Sequence, residues 1–146
     1  MSDKEQAMRV LVADDNKDTA DTLGMLLRLW GHEVRVAYDG PSALLLACRF
    51  KPHAVLLDIQ MPKMNGGDVA LNLKRQFNSE KILIIAISAS DPDDTRLTRY
   101  KSAFDAFLCK PCELERLQEL LADCRSRTVS YQSVAPARNT VAGTAS

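Results

Sequence analysis

Five short apolar segments alternate with longer amphipathic stretches along the chain. The segments are MRVLVAD at 8–14, HEVRVA at 32–37, PHAVLLD at 52–58, KILIIAIS at 81–88 and FDAFLCK at 104–110. Several are apolar at consecutive positions, as is typical of parallel strands that helices cover on both faces. Five strands that alternate with helices predict an open α/β sheet, because a closed barrel of this kind needs eight such units.

The amphipathic stretches carry signals for where helices begin and end. A first helix is predicted over 16–30, with Asn16 as its N-cap and Gly31 as a left-handed residue after its end. The second, third and fourth helices are predicted to begin at Asp39, Asn65 and Ser90. A last helix follows Pro111, where leucines repeat at helical spacing, and is expected to end near Arg125.

The domain organisation follows from these elements. Residues 1–7 form a short N-terminal extension, and residues 8–126 form one domain that is long enough to bury a core without disulfides or metal. Beyond Arg127 the chain is rich in Ser, Thr, Ala and Gly and has little apolar periodicity. Such a composition does not offset the entropy of ordering, so residues 127–146 are predicted to be a flexible tail.

Charge and composition narrow the class of protein. Nineteen basic and nineteen acidic side chains cancel, so the chain lacks the positive field of a nucleic-acid binder. The longest apolar run, Ile82–Ile87, is far shorter than the roughly 20 residues of a membrane span. The N-terminus shows no secretory signal, which predicts a cytoplasmic protein whose four cysteines are thiols.

Polar residues end several of the predicted strands. They are Asp14 and Asp15, Asp58, Ser88 and Lys110. The carboxyl ends of parallel strands meet at one edge of the sheet, where such folds bind ligands. Two carboxylates about 4 Å apart repel by roughly 4 kcal/mol at an effective dielectric near 20, so the three acids need counter-charge. Lys110 supplies one positive charge, and a hard divalent ion, with Mg²⁺ favoured, supplies the rest.

This set of residues predicts phosphoryl chemistry. An ionised aspartate beside Mg²⁺ is a competent nucleophile toward a phosphoryl group, because the metal and Lys110 neutralise the oxygens on which negative charge accumulates. The hydroxyl of Ser88 can donate to another of those oxygens.

Four motifs together resemble the receiver domain family of two-component response regulators. They are LVADDN at 11–16, LLDIQMPKMNG at 56–66, AISAS at 86–90 and FLCKP at 107–111. The resemblance covers about residues 8–126. It implies a flavodoxin-like (βα)5 fold with an open parallel five-stranded sheet in the order 2-1-3-4-5 and helices on both faces.

The resemblance also implies a metal site. Asp15 is the expected direct ligand of Mg²⁺, Asp14 acts chiefly through water, and Asp58 shares the site. The backbone carbonyl of Gln60 completes the expected protein ligands, with Mn²⁺ as an alternative ion.

Residue by residue, the resemblance assigns further roles. Asp58 matches the phosphoacceptor, Ser88 the hydroxyl switch residue and Lys110 the family lysine, whose bond to Pro111 would be cis. Phe107 matches the aromatic residue that turns inward when the hydroxyl residue binds the phosphoryl group.

Two more positions, Gln60 and Ser90, flank the expected approach of the water that removes the phosphoryl group. The resemblance therefore implies that these two side chains tune the lifetime of phospho-Asp58.

The function implied by the resemblance is that of a phosphoacceptor in a phosphorelay. The phosphoryl group would come from a phosphohistidine on a histidine kinase or a histidine phosphotransfer protein. The domain would catalyse only its own phosphorylation and dephosphorylation, and would otherwise not be an enzyme. The output would be a changed surface formed by the fourth helix, the fifth strand and the fifth helix. No contact with nucleic acid or membrane is expected of this chain, and the output partner is left open.

Three other functions share part of this pattern. A haloacid dehalogenase-type phosphatase needs an acid two residues after its nucleophile, where this chain has Gln60. A flavodoxin-like electron carrier needs a Ser- and Thr-rich phosphate loop after the first strand, where this chain has Asp14 and Asp15. A receiver that binds partners without being phosphorylated is a third alternative.

Cys109 and Cys112 form a C-x-x-C, which leaves a redox or zinc role open.

Overall fold

A computed structural model describes residues 8–61, 64–77, 82–88, 100, 102–110 and 113–133, with side chains as far as residue 123. The elements, in chain order, are β1 (Arg9–Ala13), α1 (Lys17–Leu29), β2 (Glu33–Ala37), α2 (Gly40–Phe50), β3 (Ala54–Asp58), α3 (Gly66–Gln76), β4 (Leu83–Ser88), β5 (Ala106–Cys109) and α4 (Leu114–Ser133). The strands form one sheet in the order β2-β1-β3-β4-β5, and every neighbouring pair is parallel. The predicted open parallel sheet and its strand order are confirmed.

The sheet is buried on both faces, as the consecutive apolar positions in its strands predict. One core lies between the sheet and helices α2 and α3, where Leu11 and Ile84 are fully buried. The other lies between the sheet and helices α1 and α4, where Leu56 and Ile85 are almost fully buried. Because adjacent strand residues point to opposite faces, each apolar run supplies both cores. The sheet is therefore a rigid platform for whatever its strand ends carry.

The predicted helix caps are confirmed. Asn16, Asp39 and Asn65 each accept a hydrogen bond from the backbone N–H three residues later, which satisfies an N–H group that the helix leaves unpaired. Gly31 follows α1 with a φ of 97°, a left-handed conformation that glycine adopts without steric cost. The three N-caps begin α1, α2 and α3 on the connections that leave the carboxyl edge of the sheet.

The end of the last helix differs from the prediction. Helix α4 runs to Ser133, beyond the expected end near Arg125 and into the segment predicted as a tail. The flexibility of residues 127–146 stays a prediction. The composition of these residues did not predict the longer helix. Adding a residue to an existing helix costs much less free energy than starting a new helix, so a helix can continue without an apolar face. Residues 1–7 and 134–146 lie outside the described part, as does the predicted helix start at Ser90.

No helix among the described residues is both long and apolar enough to span a bilayer.

Candidate functional site

The carboxyl edge of the sheet brings together charged side chains from three strand ends. Lys110 follows β5, and its Nζ lies 3.1 Å from Oδ2 of Asp14 and 3.3 Å from Oδ2 of Asp58. Both carboxylate side chains are about nineteen-twentieths buried, whereas the Lys110 side chain is 27% exposed. The prediction that these residues converge, although they are far apart in sequence, is confirmed.

The two buried carboxylates are held in the same way. Oδ1 of Asp14 accepts the backbone N–H of Asn16 at 2.9 Å, and Oδ1 of Asp58 accepts the backbone N–H of Gln60 at 3.1 Å. Each bond closes a short turn at the point where the chain leaves its strand. The turn fixes one oxygen of each carboxylate and directs the other, Oδ2, toward the shared ammonium of Lys110.

A third carboxylate joins this pair. One ligand oxygen from each of Asp14, Asp15 and Asp58 can be chosen so that all three lie within 4.8 Å of one another. Asp15 is exposed, while the other two are buried. Three carboxylates and one ammonium leave an excess of negative charge, and grouped oxygen ligands of this kind suit a hard divalent cation. The donor set therefore fits Mg²⁺.

The pKa values of Asp58 and Lys110 are both raised in this cluster of charges. Burial, together with the charge of Asp14, raises the pKa of Asp58 to about 6. The hydrogen bond from Gln60 and the charge of Lys110 oppose this increase without cancelling it. Burial lowers the pKa of Lys110, but hydrogen bonds and attraction to Asp14 and Asp58 outweigh it, so the net pKa is raised. Lys110 is therefore cationic at neutral pH and does not fully balance its two partners.

Ser88 ends β4 beside this group. It is buried, and its backbone carbonyl accepts the N–H of Lys110 at 3.0 Å, which ties the end of β4 to the residue that follows β5. Phe107 lies on β5 opposite Ala86 of β4 and is partly buried against the core on the α2 and α3 side. Its ring lies 5.4 Å from that of Phe104. The two predicted switch residues thus lie on neighbouring strands.

Several predicted residues are placed only in part or not at all. The backbone N–H of Gln60 binds Asp58, and the Gln60 residue is exposed. Ser90, Pro111 and Cys112 lie outside the described residues, so neither the predicted cis bond nor the C-x-x-C pair is described. Cys109, the described member of that pair, carries an exposed free thiol.

Sequence reasoning missed Tyr38, which follows β2 at the same edge of the sheet. Its hydroxyl donates to Oδ1 of Asp21 at 2.5 Å, and this hydrogen bond raises the pKa of Tyr38. The Nζ of Lys17 lies 5.3 Å from the centre of the Tyr38 ring, a cation–π distance. The signal that could have found Tyr38 is its position directly after a predicted strand, at the edge of the sheet where Asp14 and Asp58 also lie.

The fold and the site agree with comparisons to known proteins. The family model described as the response regulator receiver domain matches residues 10–122, and the chain belongs to this family. It is 38% identical over 109 residues to the transcriptional regulatory protein PrrA of Mycobacterium tuberculosis, an alignment that covers 75% of this chain and 46% of PrrA. It is 33% identical over 119 residues to the response regulator MprA of Mycobacterium avium, covering 82% of this chain and 50% of MprA. The chain thus spans about half the length of these relatives.

Solved structures show the same fold. The receiver domain of the Francisella response regulator 1452 superposes with a TM-score of 0.73 at 30% identity, covering 83% of this chain and 98% of that one. The chemotaxis protein CheY4 of Vibrio cholerae has a TM-score of 0.73 at 24% identity, covering 81% and 98%, and supports the fold alone. The resemblance predicted from the motifs is confirmed, and the flavodoxin-like architecture with it. Family membership favours a two-component receiver domain over the phosphatase and electron-carrier alternatives.

Proposed function

We propose that this receiver domain accepts a phosphoryl group on Asp58 from the phosphohistidine of a histidine kinase or a histidine phosphotransfer protein. The observation that carries this proposal is the pair of buried carboxylates, Asp14 and Asp58, joined by the single ammonium of Lys110. Burying like charges side by side is costly for stability, so the arrangement calls for a functional explanation.

Mg²⁺, or Mn²⁺ in its place, would be held by Asp14, Asp15, Asp58 and the backbone carbonyl of Gln60. The clustered carboxylate oxygens support this assignment. Burial and then the charge of Asp14 raise the pKa of Asp58, and a bound cation would offset both. When bound, the ion supplies positive charge to the oxygens of the incoming phosphoryl group.

The residues of the chain supply the nucleophile and its surroundings. At neutral pH Asp58 is mainly ionised, because its pKa of about 6 lies below the ambient pH. A carboxylate oxygen of Asp58 forms a bond to phosphorus while the bond from phosphorus to the donor's imidazole nitrogen breaks. Lys110 Nζ already lies within 3.3 Å of Asp58, so it is placed to contact a phosphoryl oxygen after transfer.

The same site would carry the switch and the decay of the signal. Ser88 would donate its hydroxyl to the phosphoryl group, and Phe107 would fill the space that Ser88 leaves. The changed surface would comprise the segment between β4 and β5, strand β5 and helix α4, and would control a downstream partner.

Gln60 and Ser90 would tune hydrolysis, so substitution of either should alter the lifetime of phospho-Asp58 without abolishing phosphorylation. Equal decay rates in the wild type and both variants would contradict this role.

The proposed setting is the cytoplasm, where the donor proteins of this family present their phosphohistidines. The exposed thiols of Cys48 and Cys109 are not in disulfides, which is ordinary in a reducing compartment. Direct contact of this chain with nucleic acid is not proposed, because its charges balance.

Intact mass after incubation with acetyl phosphate and Mg²⁺ tests the central proposal. The wild type should gain the mass of one phosphoryl group, and the gain should be absent in Asp58→Asn and in wild type treated with EDTA. Asp18→Asn is a matched control, since Asp18 lies in the first turn of α1 outside the carboxylate cluster, and it should be phosphorylated normally. A wild type that gains no phosphate would support an interaction module that is not phosphorylated.

A further inference from the structure

Tyr100, which lies between β4 and β5 in the sequence, packs directly on the first turn of α3. Tyr100 is 7% exposed. A Cβ atom built on Gly67 would lie 2.4 Å from Cγ of the Tyr100 ring and 2.5 Å from both Cδ atoms. No side chain can occupy position 67 while the ring stays in place, so Gly67 is required by the close approach of the ring.

The hydroxyl of Tyr100 holds the same turn through its polar residues. It donates to Oδ1 of Asp68 at 3.2 Å and accepts from Nδ2 of Asn65 at 3.5 Å. Asn65 is the N-cap of α3, and its Oδ1 accepts the backbone N–H of Asp68 at 2.9 Å. The ring and the hydroxyl therefore contact three of the four residues of the Asn65–Asp68 turn.

On its other side, this turn rests on the backbone of Asp58. A Cβ built on Gly66 would lie 2.5 Å from the carbonyl oxygen of Asp58 and 2.8 Å from Cα of Ile59. The N–H of Gly66 donates to the carbonyl of Ile59 at 2.8 Å, which closes the loop after β3. Gly67 thus faces the ring of Tyr100 and Gly66 faces the Asp58 backbone, and neither has a side chain that could absorb a displacement.

We propose that Tyr100 is a positioning residue for phosphorylation, which holds the Asn65–Asp68 turn against the backbone of Asp58 and thereby fixes the loop that carries Gln60. This inference rests on the proposed function, and it assigns a role to a residue outside the carboxylate cluster. Because the same close contacts join the ring to the Asp58 loop, we expect phosphorylation of Asp58 to change the surroundings of the Tyr100 ring. Tyr100 shares a core with Phe104, whose ring contacts Phe107, so the change can reach the predicted switch aromatic.

The first test removes the hydroxyl and keeps the ring. Tyr100→Phe should lower the maximal rate of phosphorylation by acetyl phosphate about fivefold, a coupling at the lower end of the usual range. The Mg²⁺ concentration for half-maximal rate should rise as well, because the turn that Tyr100 holds supports the loop that carries Gln60, whose backbone carbonyl is a proposed Mg²⁺ ligand. A Tyr100→Phe variant that is phosphorylated at the wild-type rate would overturn the role of the hydroxyl bonds.

The second test uses the close approach between Gly67 and the Tyr100 ring. Gly67→Ala should displace the ring and slow phosphorylation further, whereas adding Gly67→Ala to Tyr100→Ala should cost nothing more, because the methyl group then has space. Gly24→Ala is the matched control: its Cβ would lie 3.0 Å from a methyl group of Val36, far from the Asp58 loop, and it should leave the rate unchanged even if stability falls. Equal rates in Gly67→Ala and Gly24→Ala would contradict the proposal.

The reciprocal readout is the NMR spectrum of protein with ¹³C-labelled tyrosine. Phosphorylation should shift the ring signals of Tyr100, assigned by their loss in Tyr100→Phe. Unchanged Tyr100 signals in a phosphorylated wild type would refute the coupling while leaving the phosphoacceptor role intact. A wild type that takes no phosphate would instead refute the proposed function itself.

Discussion

Both edges of the sheet hold buried or half-buried polar side chains, but these side chains are paired differently at the two edges. At the amino edge, Nδ1 of His32 accepts the backbone N–H of Met8 at 3.3 Å, and Nδ1 of His53 accepts that of Arg9 at 3.0 Å. Each neutral acceptor meets one donor. At the carboxyl edge, two buried carboxylates share the ammonium of Lys110, and a third lies close by. Unbalanced charge, more than buried polarity, distinguishes the functional edge from the structural one.

Charged groups at the amino edge also serve the fold. The Nε of Arg9 donates to the carbonyls of Phe50 and Lys51 and so satisfies the end of α2. Asp105 accepts the backbone N–H of Ile84 at 2.7 Å and pairs with Lys74 at 3.2 Å. Asp105 therefore has what Asp58 has, a backbone N–H and a lysine, and among the described residues no second carboxylate is paired with that lysine. This pair of aspartates makes the comparison testable.

The largest expected effect comes from removing the shared cation. Lys110→Met leaves two buried carboxylates without a counter-charge, so it should destabilise the metal-free protein by about 3 kcal/mol at pH 7.5. Phosphorylation by acetyl phosphate should fall at least about a hundredfold, as for loss of a group that stabilises developing charge. Urea unfolding in EDTA measures the first effect, and intact mass measures the second.

The matched control is Lys74→Met, which removes the lysine partner of Asp105. Because the Lys74–Asp105 pair is partly exposed to solvent, which screens its attraction, the loss should stay at or below about 1 kcal/mol. Similar losses in Lys110→Met and Lys74→Met would contradict the distinction drawn between the two aspartates.

A smaller effect of opposite sign is expected from neutralising Asp58. Its folded-state pKa, about 6, lies above the unfolded value near 4, so the folded state binds the proton more tightly. Stability of the metal-free wild type should therefore fall as the pH rises from about 4 to about 6 and stay low above that. Asp58→Asn should be more stable than the wild type by about 2 kcal/mol at pH 7.5 and nearly equal to it at pH 4.

Urea unfolding in EDTA at both pH values provides the measurement. Asp105→Asn is the control, because it removes a balanced carboxylate and should destabilise the protein at pH 7.5. If Asp58→Asn were also destabilising at pH 7.5, the carboxylate cluster would not carry the excess charge described above.

Much of the site can be predicted from the sequence alone, because the parallel topology determines which strand ends meet at one edge of the sheet. Once alternating strands and helices are recognised, Asp14, Asp58 and Lys110 must meet at one edge, whatever their separation along the chain. Local hydrogen bonding likewise predicts the caps at Asn16, Asp39 and Asn65. These features depend on short-range patterns plus one rule of topology.

Other features depend on contacts that leave no local pattern. The ring of Tyr100 packs on Gly67 across 33 positions, and a glycine at the start of a helix is equally compatible with an ordinary turn. The extent of α4 escaped prediction since its final residues lack an apolar repeat. Sequence order does not determine which carboxylate oxygen faces which donor. The sharing of the Lys110 ammonium between Asp14 and Asp58 is therefore seen only from the distances in the structure.

The smallest expected effect lies at the amino edge. Burial, with the charge of Arg9, lowers the pKa of His53, so the unfolded state binds the proton more tightly and stability should fall as the pH drops below about 6.5. Since His53 is only half-buried, the loss should stay below about 1 kcal/mol. In the Asp58→Asn background, which removes the opposing effect, His53→Asn should abolish much of this acid sensitivity, because an amide oxygen can accept the Arg9 N–H without titrating. Thermal unfolding at pH 7.5 and 5.5 measures it, and an equal decline with and without His53 would place the acid sensitivity elsewhere in the protein.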